Sequence, residues 1–286
     1  MKLMSYVTSQ GASYGLVEGE RVYDLALRLG PSCPDLKSAL ANDALARIAG
    51  RLIAGDADFR VSDIVFLPLI PNPGRIFCVG LNYKAHREET NRADTPDPVL
   101  FMRGAQSQTG HERPLLCPIE SDAFDFEGEI AAVIGTGGRR IDEARALTHV
   151  AGLSCYNDGS VRDWQARSTQ WTAGKNFPAT GAFGPWLVTP DELPLDRDIS
   201  LVTRLNGKEV QRTTTDLMTF PLARLVAFIS TFTTLEAGDV IVTGTPGGVG
   251  FKRTPPLFMK DGDVVEVEVD GIGTLRNPVI KERRAA

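Results

Sequence analysis

Apolar residues along this chain fall into short runs separated by glycine and proline, with helical spacing in only a few places. Residues 2–8, 14–19 and 21–26 are apolar runs bounded by turn residues, a pattern typical of short strands. Residues 35–55 carry Leu and Ile at roughly helical spacing and predict a helix that ends at Gly55. Beyond residue 75 the short runs favour strands, and residues 223–235 give the clearest helical pattern.

A proline-rich stretch divides the chain into two parts. Residues 66–75, FLPLIPNPGR, hold three prolines within six residues, which favours an extended linker. We therefore predict a small N-terminal α+β domain over residues 1–70 and a larger domain over residues 71–286. Strands do not alternate regularly with helices in the larger part, which argues against a doubly wound parallel sheet. The predicted fold class is α+β, with a β-rich, mixed-sheet body and few helices.

Composition narrows the class of protein further. The chain has 286 residues and a formal net charge of -5, with no basic stripe, which argues against a nucleic-acid partner. The apolar runs are too short to span a membrane, and the polar start lacks the apolar segment of a signal peptide. The four cysteines are scattered and form no CxxC pair, as expected for reduced thiols. We expect a cytoplasmic protein without a membrane partner.

The most informative segment is FDFEGEIAAVIG, residues 124–135. Glu127 and Glu129 are two residues apart in front of an apolar run, so a strand would point both carboxylates to one face. Like charges that close destabilise a fold unless a cation lies between them, which indicates a divalent metal. Asp158 could be a third ligand, and an all-carboxylate set suits Mg²⁺ or Mn²⁺ better than zinc. A solvated strand end, and an Asp-Gly turn at Asp158, fit the same spacing.

Three other segments carry candidate chemistry. In residues 79–91, His86 and Glu89 are three apart, so one helical turn would make them a general-base dyad. Lys175 lies in a glycine-rich loop and could neutralise an oxyanion. Thr245 lies in VTGTPGGVG, a turn that could offer its hydroxyl and backbone N–H groups to an anion. A surface helix turn and a solvated loop lysine fit the first two segments equally well.

Several common catalytic patterns are absent from the sequence. The glycine-rich loops match neither a phosphate loop nor GxGxxG, and the one GxSxG match, GASYG at residues 11–15, lies between two predicted short strands and not at the strand-to-helix turn of a nucleophile elbow. These absences count against a kinase, a dinucleotide enzyme and a serine hydrolase.

Taken together, five ordered segments resemble the fumarylacetoacetate hydrolase family. They are CVGLNYKAHREE, FDFEGEIAAVIG, SCYNDGSVRDWQ, GKNFPATGAFGPWLV and GDVIVTGTPGGVG, and the likeness covers about residues 70–280. The resemblance implies a β-rich α+β roll, often preceded by a short N-terminal domain, and commonly a homodimer. Arg103 and Gly104 stand where many members have Lys-Pro, so Arg103 bears on the choice of substrate.

The resemblance also assigns roles to residues of this chain. It implies Mg²⁺ or Mn²⁺ held by Glu127, Glu129 and Asp158, with His86, Glu89 and Lys175 as catalytic groups. The residues that it places near the substrate, or that lie in the same motifs, are Tyr83, Arg103, Arg162, Gln165 and Thr245.

The expected reaction is metal-dependent hydrolysis of the carbon–carbon bond of a 2,4-dioxo acid, an acylpyruvate. Such an enzyme would cleave a small-molecule substrate such as fumarylpyruvate or maleylpyruvate, with His86 taking a proton from the attacking water. An arginine near these motifs could pair with a distal carboxylate of such a substrate. Isomerisation or decarboxylation of 2-hydroxyhepta-2,4-diene-1,7-dioate is the nearest alternative within the family. A non-catalytic module that binds a metal or an anion is a more distant one.

Overall fold

A computed structural model describes residues 1–44 and 56–283 of the chain. Its main feature is a mixed twelve-stranded sheet in the order β4-β3-β2-β1-β14-β12-β11-β17-β6-β7, with β5 beside β1 and β8 beside β14. The strands of this sheet are β1 (Lys2–Thr8), β2 (Gly11–Glu18), β3 (Arg21–Asp24), β4 (Phe59–Arg60), β5 (Val65–Phe66), β6 (Ile76–Gly80), β7 (Val99–Arg103), β8 (Gln108–Thr109), β11 (Gly128–Ile134), β12 (Val150–Asn157), β14 (Gly181–Val188) and β17 (Val240–Val242).

A second, five-stranded sheet and a small ribbon complete the β structure of the described residues. The five-stranded sheet runs in the order β16-β15-β18-β19-β9, and the ribbon pairs β10 with β13. Their strands are β9 (Leu115–Cys117), β10 (Phe124–Asp125), β13 (Ser160–Val161), β15 (Ser200–Leu205), β16 (Lys208–Thr214), β18 (Val264–Val269) and β19 (Gly273–Lys281).

The described helices are few and mostly short. They are α1 (Leu25–Leu29), α2 (Leu36–Ala41), α3 (Lys84–Glu89), α4 (Arg162–Gln165), α5 (Thr172–Lys175) and α6 (Leu222–Phe232). Short 3₁₀ segments cover Val61–Asp63, Ala105–Ser107, Glu143–His149, Thr215–Leu217 and Gly250–Lys252. The three helices α3, α4 and α5 are each too short to be stable alone, so they depend on packing against the sheets.

Strand β11 explains why the large sheet is buried on both faces. All seven of its residues are buried. Ile130, Ala132 and Ile134 join the apolar cluster that includes the five-stranded sheet and α6, whereas Ala131 and Val133 join the cluster on the opposite face. Because side chains alternate along a strand, an unbroken apolar run is what a strand covered on both sides requires. Glu127 and Glu129 therefore lie at the start of a strand that is packed on both faces.

The predicted α+β class with β-rich mixed sheets is confirmed. The predicted helix over residues 35–55 begins as α2, and its part over residues 45–55 lies outside the described residues. The division at residue 70 stays a prediction: β1 pairs with β14 of the larger part, with Leu3 opposite Leu187, so the two parts share one sheet. Within residues 1–44 and 56–283, no helix is long and apolar enough to cross a membrane.

Candidate metal centre and catalytic cavity

The candidate metal ligands meet because two antiparallel strands end at the same place. Glu127 directly precedes β11 and Asp158 directly follows β12. Gly128 is the partner of Asn157 across the two strands, and the Asp158 N–H donates to the Glu127 carbonyl at 2.8 Å. Pairing of the strands therefore brings together two acids that are far apart in sequence.

The carboxylates of Glu127, Glu129 and Asp158 form a compact triad. Each offers one oxygen, and these oxygens all lie within 4.8 Å of one another. All three side chains are buried, Asp158 completely. The same-face geometry that the sequence predicts for Glu127 and Glu129 is therefore present, and a solvated strand end is ruled out as the interpretation.

Two buried cations surround Glu127. The Lys175 Nζ lies 2.7 Å from Glu127 Oε2, and Arg162 Nη2 lies 2.7 Å from Glu127 Oε1. Burial alone would raise the pKa of Glu127, but Lys175 and Arg162, with a smaller contribution from His86, lower it below its usual value. Glu127 therefore stays ionised in the protein interior.

Lys175 also serves Asp158, so it is a counter-ion of the triad. Its Nζ donates to Asp158 Oδ2 at 2.5 Å and lies 3.4 Å from the Asp158 carbonyl. Burial opposes the charged form of Lys175, but Asp158 and Glu127 outweigh burial and raise its pKa. A lysine ammonium has three N–H donors, and the three acceptors within reach are two carboxylate oxygens of the triad and the Asp158 carbonyl. The predicted loop position of Lys175 is wrong, because Lys175 is the last residue of helix α5, and its side chain is buried and not solvated.

Glu129 has a different environment. Its Oε2 accepts a hydrogen bond from the Gly244 N–H at 2.5 Å, and no described Lys, Arg or His forms a salt bridge with it. Burial, and then the charges of Asp158 and Glu127, raise the pKa of Glu129 well above its usual value. This carboxylate is the member of the triad whose charge the described side chains leave least compensated.

The donor set of the triad fits a divalent cation. Three carboxylates supply hard oxygen ligands, and no cysteine or histidine belongs to the cluster, which matches the preference of Mg²⁺ or Mn²⁺. A cation between these oxygens would also relieve the repulsion that raises the pKa of Glu129. The residues present therefore fit the metal that the sequence predicts.

The predicted dyad of His86 and Glu89 forms on one turn of α3. His86 Nδ1 lies 2.7 Å from Glu89 Oε1, and Glu89 Oε2 accepts the Gly248 N–H at 2.8 Å. The carboxylate thus holds the imidazole by Nδ1 and is itself fixed by backbone, which leaves Nε2 to accept a proton. His86 is buried and lines the same cavity as Glu127 and Glu129.

The cavity has a volume of about 680 Å³, within the range of small-molecule sites. Of the predicted substrate-binding residues, Arg162, Gln165 and Thr245 line it. Gln165 Oε1 accepts from Arg162 Nη1 at 2.9 Å, whereas the Thr245 hydroxyl donates to the Gly128 carbonyl at 3.1 Å. Thr245 therefore supports the backbone between the two glutamates.

Two predicted substrate-binding residues, Tyr83 and Arg103, are absent from the described lining of this cavity. Tyr83 is buried at the start of α3, where burial and Glu129 raise its pKa. The Arg103 side chain is fully buried and donates to the Asp158 carboxylate, the Gly159 carbonyl, Thr180 and Ser107. Arg103 is thus a second counter-ion of Asp158, and each of its three guanidinium nitrogens already donates a hydrogen bond within the protein.

Sequence reasoning missed Asp125, a fourth buried acid of the site. Its carboxylate accepts from Arg162 Nε at 2.8 Å, from the Gly250 N–H at 2.9 Å and from the Phe251 N–H at 3.1 Å. Asp125 therefore ties Arg162 to the segment that carries Phe251, which lines the cavity. The position of Asp125 in the acidic segment FDFEGE indicated that it belongs to the site. Its role could not be predicted because its hydrogen-bond partners are distant in the sequence.

Aromatic residues of the cavity wall were also missed. Phe101, Trp171 and Phe251 line it, and Trp171 packs edge-on against Phe101 with ring centroids 5.4 Å apart. A Cβ on Gly80 would lie 2.3 Å from the Trp171 ring, so only glycine leaves room for it. The cavity thus combines a charged floor with an apolar wall.

In a comparison with known protein families, residues 75–280 of the chain match the fumarylacetoacetate (FAA) hydrolase C-terminal family. The chain belongs to the fumarylacetoacetate hydrolase family. The match begins close to the proline-rich stretch and contains every residue of the cavity named above.

Relatives within the family carry the names of different reactions. A mitochondrial oxaloacetate tautomerase of Xenopus laevis is 42% identical over 221 residues, which is 77% of this chain and 69% of that protein. A solved fumarylacetoacetate hydrolase of Exiguobacterium antarcticum is 33% identical with a TM-score of 0.83. A solved 5-carboxymethyl-2-hydroxymuconate delta-isomerase of Mycobacterium smegmatis is 32% identical with a TM-score of 0.78. Both structures cover 99% of this chain and are matched over their whole length.

Proposed function

We propose that this chain is an enzyme of 2-oxo acids that depends on a divalent metal, and that it hydrolyses the carbon–carbon bond of an acylpyruvate. The observation that carries the proposal is that His86, whose Nδ1 lies 2.7 Å from Glu89 Oε1, lines the same cavity as Glu127 and Glu129 of the carboxylate triad. A binding module would need the triad but would have no use for a buried base. The metal would be held by Glu127, Glu129 and Asp158 and would supply Lewis-acid stabilisation of the enolate charge.

His86 would act as the general base. Its Nε2 takes a proton from water, whose oxygen adds to the C4 carbonyl carbon of the substrate. The bond between C3 and C4 then breaks, and its electron pair becomes the enolate of pyruvate. His86 returns the proton to C3, so the products are pyruvate and the carboxylic acid of the acyl group. Glu89 keeps the imidazole oriented, while Lys175 and Arg162 supply fixed positive charge beside the developing enolate.

Tautomerisation of oxaloacetate is a second candidate, favoured by the 42% identical relative that bears this name. It needs the same base and the same stabilisation of an enolate. His86 would remove a proton from C3 and the oxygen of the enolate would gain one, without an attacking water.

A substrate panel tests the two candidates. Purified protein with Mg²⁺ or Mn²⁺ would receive acylpyruvates, the heptadienedioate and oxaloacetate, while pyruvate release and the ultraviolet absorbance of the enol are followed. Pyruvate release from acylpyruvates supports the hydrolase. Rapid loss of enol absorbance with oxaloacetate, without release of pyruvate from any acylpyruvate, supports the tautomerase and overturns the first proposal.

The variant His86→Ala tests the assigned base. We expect turnover to fall by about 10²-fold to 10⁴-fold, with metal binding retained in calorimetry because His86 is not a ligand. His149→Ala is the matched control, since His149 bonds the Thr136 carbonyl and lies outside the described lining of the cavity. Turnover by His86→Ala at the parent rate would show that the base is another group.

A further inference from the structure

The residue between the two glutamates of the triad is held by side chains from distant parts of the chain. Strand β17 pairs with β11 at residues 131–133 and ends short of Gly128. The Gly128 N–H donates to Gln211 Oε1 at 3.0 Å, and the Gly128 carbonyl accepts from the Thr245 hydroxyl at 3.1 Å. Both backbone polar groups of Gly128 are therefore bound by side chains.

Gln211 closes this arrangement into a ring of hydrogen bonds. Its Nε2 donates to Thr245 Oγ1 at 2.9 Å and to the Pro246 carbonyl at 3.1 Å. The orientation of the amide is fixed at both ends, because the Gly128 N–H can only donate and the Pro246 carbonyl can only accept. Since Thr245 Oγ1 accepts from Gln211, its own proton goes to the Gly128 carbonyl. We call Gly128, Gln211 and Thr245 the Gly128 clamp.

The Gly128 clamp is buried and closely packed. Gln211 and Thr245 are each 3% exposed. Gln211 lies opposite Thr203 on the neighbouring strands β16 and β15, and a Cβ on Gly128 would collide with the Thr203 hydroxyl. The five-stranded sheet therefore packs directly on Gly128 and brings Gln211 to it. Loss of the Gln211 amide would leave the Gly128 N–H buried without this partner, which is costly in a protein interior.

The clamp also reaches the backbone donor of Glu129. Thr245 directly follows Gly244, whose N–H donates to Glu129 Oε2 at 2.5 Å. Gln211 holds this segment through Thr245, and it holds Gly128, which directly precedes Glu129. One side chain thus sets both the path of the backbone at Glu129 and the place of the N–H that binds its carboxylate.

We infer that Gln211 is a positioning residue of the metal site, which fixes the carboxylates of Glu127 and Glu129 relative to each other. It supplies no oxygen to the triad and is absent from the described lining of the cavity, so it acts through Gly128 and Thr245. This inference rests on the proposed function, because it takes the triad to bind a divalent metal. Residues that hold metal ligands in place typically contribute about 10-fold to 100-fold to metal affinity.

Electron paramagnetic resonance of Mn²⁺ tests the inference without turnover. Free Mn²⁺ gives a sharp signal that weakens on binding, so a titration yields Kd, and the spectrum of the bound ion reports the symmetry of its ligands. Gln211→Met keeps the approximate size of the side chain but removes its three hydrogen bonds. We expect Kd to rise by about 10-fold to 100-fold and the spectrum of bound Mn²⁺ to change in shape.

Thr245→Val opens the clamp from its other side while keeping the shape of the side chain. It removes the donor to the Gly128 carbonyl and the acceptor for Gln211, and we expect it to weaken Mn²⁺ binding as well. Because both residues belong to one ring, the double variant should lose less affinity than the product of the two single losses. This variant also keeps the inference testable should Gln211→Met fail to fold.

Asn277→Leu is the matched control for the loss of a buried amide. Asn277 Nδ2 donates to the Gly110 and Arg113 carbonyls at 2.8 Å each, and the residue is absent from the described lining of the cavity. This variant should be less stable in urea, but its Kd for Mn²⁺ and its spectrum should match those of the parent. If Asn277→Leu lost as much Mn²⁺ affinity as Gln211→Met, general destabilisation would explain the effect and the inference would be overturned.

The outcomes separate this inference from the proposed function. Parent affinity and a parent spectrum in both clamp variants would overturn the role of Gln211 and leave the metal site in place. Weaker Mn²⁺ binding in these variants, in a chain that releases no pyruvate from acylpyruvates, would retain the clamp and overturn the hydrolase. A parent chain that binds no Mn²⁺ would overturn both.

Discussion

Glu127 directly precedes β11 and Glu129 lies within it, but the protein surrounds the two carboxylates in opposite ways. On the Glu127 side, meaning Glu127 with Lys175, Arg162 and Gln165, two buried cations lie 2.7 Å from the carboxylate and lower its pKa. On the Glu129 side, meaning Glu129 with the Gly244 N–H and Thr245, backbone is the main partner and the pKa is raised. The protein has thus compensated one charge and left the other for a ligand.

This difference shows what a buried acidic cluster needs in order to fold before its ligand arrives. If all three carboxylates lacked cations, their desolvation and repulsion would cost several kcal/mol each. If all three were fully paired, a metal would have to displace a cation for every ligand. One uncompensated carboxylate beside two compensated ones lets the chain fold and still favours an incoming divalent ion.

Glu127→Gln should have the largest effect, because it removes the anion shared by Lys175 and Arg162. Breaking a buried pair from one side leaves uncompensated charge, so we expect the free energy of unfolding to fall by about 3–5 kcal/mol. Urea denaturation in the presence of EDTA measures this loss. Glu88→Gln, which removes an exposed partner of Lys84, should change stability by less than about 0.5 kcal/mol. If both variants lost a similar free energy of unfolding, the ion pairs of Glu127 with Lys175 and Arg162 would not be the source of the effect.

Metal addition should have the next largest effect. A divalent ion at 100 times its dissociation constant stabilises the folded state by about 2.7 kcal/mol. Thermal unfolding with and without Mn²⁺ or Mg²⁺ should show this gain in the parent chain and little of it in Glu129→Gln. If the variant were stabilised as strongly as the parent, Glu129 would not be a ligand.

Glu129→Gln should stabilise the metal-free chain, the opposite sign to Glu127→Gln. The pKa of Glu129 is raised above its ordinary value of 4.5, so the folded state holds a proton that the unfolded chain releases. Stability of the parent therefore falls as pH rises above about 4.5, and glutamine, which does not titrate, escapes that cost. We expect a gain of about 1–2 kcal/mol at neutral pH.

Denaturation in EDTA at several pH values tests the sign. The advantage of Glu129→Gln should be small near pH 4 and grow towards pH 8. An advantage that shrinks as pH rises would reverse the assignment of the two carboxylates.

Gln165→Met should have the smallest effect of the set. It removes one hydrogen bond to Arg162 on the Glu127 side and leaves both ion pairs of that guanidinium in place. Since Gln165 is partly exposed, we expect a loss of about 0.5–1.5 kcal/mol in urea denaturation. A loss as large as that of Glu127→Gln would mean that the amide, and not the ion pairs, organises this side.

Local spacing was enough to predict the acidic pair and the dyad, because both depend on residues within one strand or one helical turn. Glu127 and Glu129 share a face because side chains two residues apart in extended backbone point the same way. His86 contacts Glu89 because residues three apart are neighbours on a helix. The β-rich class was predictable for the same reason, since short apolar runs such as that of β11 suit strands covered on both faces.

The contacts that neutralise the buried acids could not be predicted from the sequence, because they join distant segments of the chain. Arg103 meets Asp158 across 55 residues, Lys175 meets Glu127 across 48, and Asp125 meets Gly250 across 125. No local pattern distinguishes a solvated arginine from one that is sealed behind a carboxylate. For this reason the predicted substrate contact of Arg103 is absent from the described lining of the cavity.

The pairing of β1 with β14 has a consequence for handling this chain in pieces. A fragment limited to residues 71–286 would lack β1, the strand that pairs with Leu187 and Val188. The edge of β14 at these two residues would then be exposed to water. Such an edge invites a second molecule to dock strand to strand. Strand β1 therefore covers the edge of β14, and a fragment without β1 should precipitate or self-associate.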